Sequence, residues 1–171
     1  DYGMPQMFNI TDSLDAPVLC ANLKNVQTDE FLYPAYHIVK YGDVDVAYIG
    51  FTTTTSGTIT SLSDAQGNPL YSFMREEFYL NAQHFIDEAR DKGADYVIAL
   101  IDGHDHHVIE EQFINNKEGK PVLLTSSGTN FQNIGKLTID TNGGIHSTLA
   151  NTSSIVPDSE TEAFVNSVKE E

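Results

Sequence analysis

The stretch Gly93-Ala94-Asp95-Tyr96-Val97-Ile98-Ala99-Leu100-Ile101-Asp102-Gly103-His104-Asp105-His106 decides the fold. Upstream of it, Phe78, Ala82, Phe85, Ile86 and Ala89 recur at helical spacing and give one apolar face. Arg90 and Lys92 suit the negative end of the helix dipole, and Gly93 is a natural left-handed stop. The apolar run from Asp95 to Leu100 begins at once, so a helix feeds directly into a strand, as α/β folds require. Such folds place their chemistry at the carboxyl end of the strand, where the histidines of this stretch fall.

His104 and His106 are two residues apart, so in extended backbone both imidazoles leave the chain on the same side. Gly103 permits a sharp turn between strand and histidines. Neutral imidazole is the commonest metal ligand, and Asp102 and Asp105 are placed to orient the ring N–H groups. Mixed nitrogen and oxygen donors favour zinc, manganese, iron or cobalt over calcium or magnesium. Spacing alone leaves a solvated, His-rich loop as the alternative, since two ligands do not make a site.

Working outward, Pro17 to Ala21 and Ala35 to Tyr41 are short strand candidates, and Val44 to Phe51 is a longer one rich in β-branched and aromatic residues. Thr52 to Gly57 is the loop at its end, where hydroxyls can satisfy loop backbone or meet a phosphate. His84, on the helix, and His146 are explained by exposed or packed positions. Pro121 to Thr125 makes a further strand, followed by the Ser126–Asn130 loop. Thr141-Asn142-Gly143-Gly144 between two alternating runs is a hairpin signal. Pro157 to Glu162 opens a last helix, with Ser159 and Glu162 spaced as a capping box and Phe164, Val165 and Val168 as its apolar stripe.

The chain has 171 residues, enough for one domain or most of one, and 40% of them are apolar, which argues against disorder. Its 25 acidic and 9 basic residues give a net charge of −16, spread along the chain. That field disfavours nucleic acid or an anionic membrane as the main partner, but not a phosphate substrate, because bound metal ions can invert the local sign. Cys20 is the sole cysteine, so no disulfide forms within the chain; its apolar setting reads as core. No apolar run approaches the roughly 18 residues of a membrane span. Asn9-Ile10-Thr11 and Asn151-Thr152-Ser153 match the glycosylation sequon, a pattern prone to chance.

Several of these blocks, in this order, resemble the 5′-nucleotidase family of metallophosphoesterases, which includes bacterial UDP-sugar hydrolases and 2′,3′-cyclic-nucleotide phosphodiesterases. The blocks are Ala16 to Leu23, Tyr33 to Val39 with Val44 to Thr53, Gly93 to Leu100, Ile101 to His106, and Pro121 to Ile139. The resemblance implies an α/β fold: the second half of a layered domain with mixed sheets face to face and helices outside. It implies that His104 and His106 are the last two ligands of a centre holding two divalent metal ions, zinc, manganese or similar. Asp1-Tyr2-Gly3 resembles the tail of the family's Gly-Asn-His-Glu-Phe-Asp motif, which would make Asp1 the acid that orients a catalytic histidine.

The family's other ligands match nothing here, and Leu100 passes straight into the Ile101–Gly103 turn, where the family carries an extra segment. The chain is therefore expected to be incomplete or to belong to a degenerate homologue. Residues 1–156 are expected to form a partial metallophosphoesterase domain, and 157–171 the start of a connector helix toward a further domain. What the resemblance implies for the whole protein is a secreted, periplasmic or surface phosphohydrolase acting on nucleotides or other small phosphoesters. A non-catalytic α/β binding module is the competing class.

Overall fold

The computed structural model describes residues 3–54, 62–101 and 106–169. Its contacts divide the chain into two compact units, Asp1–His104 and Asp105–Glu171.

In the first unit the order is α1 (Gly3–Asp12), β1 (Lys24–Asn25), β2 (Tyr36–Tyr41), β3 (Val44–Phe51), β4 (Tyr71–Ser72), α2 (Phe78–Asp91) and β5 (Tyr96–Ile101). A three-stranded sheet runs β2-β3-β5. β2 and β3 form an antiparallel hairpin, and β3 pairs in parallel with β5 from Val46↔Tyr96 to Phe51↔Ile101. A parallel neighbour requires a crossover, which α2 supplies. The central strand β3 buries Val46, Ala47, Ile49, Gly50 and Phe51, residues of both parities, which is why it reads as a continuous apolar run.

α2 lies against this sheet through the face its spacing predicts. Phe85 packs with Ala21, Ile49 and Phe51, and Phe78, Ala82 and Ile86 flank them. Phe85 meets Phe31 edge-on at 5.3 Å between ring centres, an arrangement that suits the ring quadrupoles. Ala89, Ala47 and Ala94 form a tight small-residue contact where α2 turns into β5. Gly93 adopts φ 97°, as the stop requires. α1 joins a second cluster, in which Met4, Cys20 and Leu23 are buried against Met7, Phe8, Tyr33, Tyr71 and Phe73.

Pro17 to Ala21 is not a strand. Its amides pair singly instead, Cys20 N–H to the Pro34 carbonyl and Ala21 N–H to that of Gly50. The segment passes so close to β3 that a Cβ on Gly50 would lie 2.3 Å from the Leu19 carbonyl oxygen. Only glycine fits there.

The second unit consists of two hairpins and a helix: β6 (Val108–Asn115), β7 (Pro121–Ser127), β8 (Asn133–Ile139), β9 (Ile145–Asn151), a 3-10 turn (Thr152–Ser154) and α3 (Ser159–Lys169). The expected Asn-Gly hairpin is β8–β9, paired from Asn133↔Asn151 to Ile139↔Ile145. β6 carries a bulge between Ile109 and Gln112. It turns two carboxylates onto the outer edge of β9: Glu110 accepts from Leu149 N–H and Glu111 from Ser147 N–H. Blocking a strand edge with acidic side chains leaves no free ladder for a further strand there. Among the described residues of this unit only Ser147 is buried, and Phe113, Ile114, Val122, Leu124, Ile134 and Leu137 stay exposed.

The capping of α3 departs from expectation. Asp158, not Ser159, is the cap: its carboxylate accepts from the N–H and the hydroxyl of Thr161. The helix begins at Ser159, one residue after it.

Candidate functional site

β3 and β5 run in parallel and end together at the pair Phe51↔Ile101, so both chains leave the sheet at the same edge. This is the carboxyl edge where α/β sheets bind ligands. One exit, at Thr52, is held by a buried side chain. Asn22 is fully enclosed; its amide donates to the Thr52 carbonyl at 2.8 Å and the Phe73 carbonyl at 3.2 Å, and its oxygen accepts from Thr52 N–H at 3.0 Å. Asn22 lies in the Ala16–Leu23 block, but its task is not legible there, because a buried asparagine that ties two loops has no periodicity of its own.

The other exit, at Ile101, leads into Asp102, Gly103, His104 and Asp105, which lie outside the described residues, as does Asp1. His106 is described. Its backbone is left-handed, with φ 58°, a conformation rare for a residue with a side chain. His107 follows, with its carbonyl accepting from the Ser126 hydroxyl at 2.7 Å, and pairing Val108↔Ser127 then starts β6 beside β7. Sequence expectation put Ser126 and Ser127 in a loop; they belong to β7. The loop proper starts at Gly128, with φ 83°, where a Cβ would stand 2.8 Å from Val108 Cγ2 and 3.8 Å from the His106 carbonyl oxygen.

Beside it opens a recess of about 520 Å³ lined by Val108, Gln132, Asn133, Asn151, Thr152 and Ser153. Asn151 is engaged there, with its oxygen accepting from Ser153 N–H and its amide donating to Asn133, so the second sequon asparagine has a structural task.

Other histidines are where the sequence suggests. His84 is exposed on α2, 3.7 Å from Glu88 and packed on the Phe85 ring. His146 is exposed on β9, 3.3 Å from Glu111. Cys20 is buried, and burial pushes its thiol pKa up, which suits core packing and not nucleophilic attack. Among the described residues, no three His, Cys, Asp or Glu side chains converge as metal donors. Those residues therefore do not make up a metal centre by themselves. No helix among them is long and apolar enough to cross a membrane.

No family model and no curated protein matches this sequence. Solved structures do. The sulfate thiohydrolase SoxB of Thermus thermophilus superposes with a TM-score of 0.79 at 16% identity, over 96% of this chain and 34% of that one. A putative 5′-nucleotidase from Staphylococcus aureus gives 0.70 at 18% identity, over 99% of this chain and 40% of its own. A 5′-nucleotidase precursor, also from Thermus thermophilus, gives 0.65 at 20% identity, over 84% and 35%. The chain thus shares the α/β fold of these structures. The chain spans 34 to 40% of the length of these structures.

Proposed function

We propose that this chain is part of a dinuclear-metal phosphohydrolase acting on nucleotides, with His104 and His106 each ligating one of two divalent ions. One observation carries the reading: Gly-His-Asp-His leaves the carboxyl end of β5 in a fold shared, over nearly the whole chain, with 5′-nucleotidases. The proposal needs further donors, from residues other than the described ones, and Asp1 as the acid that orients a catalytic histidine. When bound, the metal pair supplies an ionised water and neutralises phosphoryl charge. This chain's share is ligation by the two imidazoles, which follow β5 in the sequence. By itself the chain is proposed to be inactive, with residues 157–171 leading toward a further domain. Secretion or surface display belongs to the same proposal, and the name of one structural neighbour, a precursor, is in keeping with it.

A second reading keeps the site and changes the substrate. The structure with a TM-score of 0.79 is a sulfate thiohydrolase, so hydrolysis at sulfur competes with hydrolysis at phosphorus. The test is the protein encoded by the complete gene, assayed against adenosine 5′-monophosphate and a thiosulfonate, with and without chelator. Chelator-sensitive release of phosphate, severely reduced in His104→Ala and His106→Ala but mildly in His107→Ala and His146→Ala, supports the nucleotidase reading. Activity on the thiosulfonate alone supports the second. No activity, with no further donors encoded, leaves a non-catalytic module.

A further inference from the structure

β6 begins with a short run of ladder. Val108↔Ser127 and Ile109↔Ser126 pair, the bulge follows, and pairing resumes at Gln112↔Leu124. Side-chain hydroxyls of β7 reinforce this first segment. Thr125 donates to the carbonyls of Ile109 and Glu110 at 3.1 and 3.0 Å, and Ser126 donates to that of His107 at 2.7 Å. His107 lies one residue beyond the last ladder pair, so the Ser126 hydroxyl extends the hold of β7 past the end of the ladder.

That bond falls where the backbone is least favourable. His106, with φ 58°, holds a left-handed conformation that the Cβ of an L-residue resists. Gly128, which follows β7, packs so closely that a Cβ there would stand 2.8 Å from Val108 Cγ2. Backbone strain persists where surrounding contacts over-determine it, and it gathers at functional positions. One such contact is the Ser126–His107 hydrogen bond, made to the residue next after the strained one. Were His106 to relax to an extended φ, its Cβ would leave the chain in another direction, and the imidazole with it.

We propose that Ser126 is a positioning residue: its hydroxyl holds the His107 carbonyl, and through it the left-handed backbone of His106 that aims the imidazole at a metal ion. The inference rests on the metal-ligand reading above and adds a residue that acts through a ligand. The donor chemistry fits, since neutral imidazole ligates zinc and manganese. A His–zinc bond of about 2.0–2.1 Å tolerates little rotation of the backbone that carries it.

The test is manganese binding to the protein encoded by the complete gene, counted by electron paramagnetic resonance, alongside the thermal midpoint of the metal-free form. The parent is expected to bind two ions and His106→Ala to lose one. Ser126→Ala is expected to weaken that same ion about tenfold, the lower end of what supporting partners of a ligand contribute. Its metal-free midpoint is expected to fall slightly. Ser126→Thr keeps the hydroxyl and is expected to bind as the parent does. Asp140→Ala controls for a merely structural effect. It removes the carboxylate that accepts from the N–H groups of Asn142 and Gly144 in the β8–β9 turn, and is expected to lower the midpoint with both ions in place. Unchanged affinity in Ser126→Ala, with His106→Ala losing its ion, overturns this inference and leaves the metal reading intact. An equal loss of manganese in Asp140→Ala also overturns it, because stability alone then explains the effect. Both ions bound by His106→Ala as by the parent overturns the metal reading, and this inference with it.

Discussion

Asn22→Ala isolates the side chain that holds the chain leaving β3 at the carboxyl edge of the sheet. It removes the amide and its oxygen at once, leaving the Thr52 carbonyl, the Thr52 N–H, the Phe73 carbonyl and the Cys20 thiol without this partner. A net hydrogen bond contributes about 1 kcal/mol and an orphaned buried group costs somewhat more, so the loss is on the order of 3 kcal/mol. Thr52 and Phe73 are only half-buried, and water reaching them keeps the figure from rising further. For a chain of this size the same loss lowers the thermal midpoint by roughly 6–12 °C. Urea unfolding followed by far-ultraviolet circular dichroism should show a lower midpoint at unchanged slope. Asn22→Asp adds a control of sign. Its carboxylate still accepts from Thr52 N–H but faces two carbonyls in a buried site, which raises its folded pKa above the unfolded one. The native state then binds the extra proton, so the variant recovers stability as pH falls. An Asn22→Ala midpoint indistinguishable from the parent's, or an Asp variant equal to the parent at neutral pH, would refute the reasoning.

Gly50→Ala is expected to destabilise by about 1–3 kcal/mol or to prevent folding, because the new Cβ meets backbone at Leu19 and not a side chain that can turn aside; denaturant midpoints check this. Asp158→Ala removes the cap of α3 and should lower helix content at that end, at a cost of about 1 kcal/mol, visible as faster amide exchange over Thr161 and Glu162. The Glu88 carboxyl is held below its ordinary pKa by Lys92 at 2.7 Å and by the Tyr36 hydroxyl at 2.9 Å. Its contribution is present above the unfolded carboxylate pKa and lost as pH falls through the depressed folded value. A Lys92→Met, Tyr36→Phe double variant should therefore lose stability at neutral pH and show a flatter acid limb; a limb as steep as the parent's counts against the assignment.

What the sequence disclosed follows from what each element buries. β3, α2 and β5 were legible because a central strand reads as an apolar run and α2 shows its packed face at a regular period. The β8–β9 hairpin was legible because its turn chemistry is local. Pro17 to Ala21 has strand composition yet lies as irregular chain, since its pairing depends on the close approach of Gly50, a tertiary fact. β6 went unread because the consecutive Glu110 and Glu111 break the alternation, and only the bulge there lets both carboxylates face β9. α1 hides behind Gly3 and Pro5 and buries only Met4. Of the candidate site, the histidine pair reads as a motif, whereas the hydrogen bonds of Asn22 and the left-handed backbone at Asn130 and Phe131 do not, because spacing encodes neither tertiary contacts nor φ values.

The most direct test of the central claim is an anomalous-difference map from crystals of the complete protein grown with manganese or zinc. The account predicts two peaks about 3.5–4 Å apart. One should lie bonded to His104 and the other to His106, at about 2.0–2.1 Å if zinc is bound. Peaks that form a metal pair without either histidine, or saturating metal with no peak at the end of β5, would contradict it.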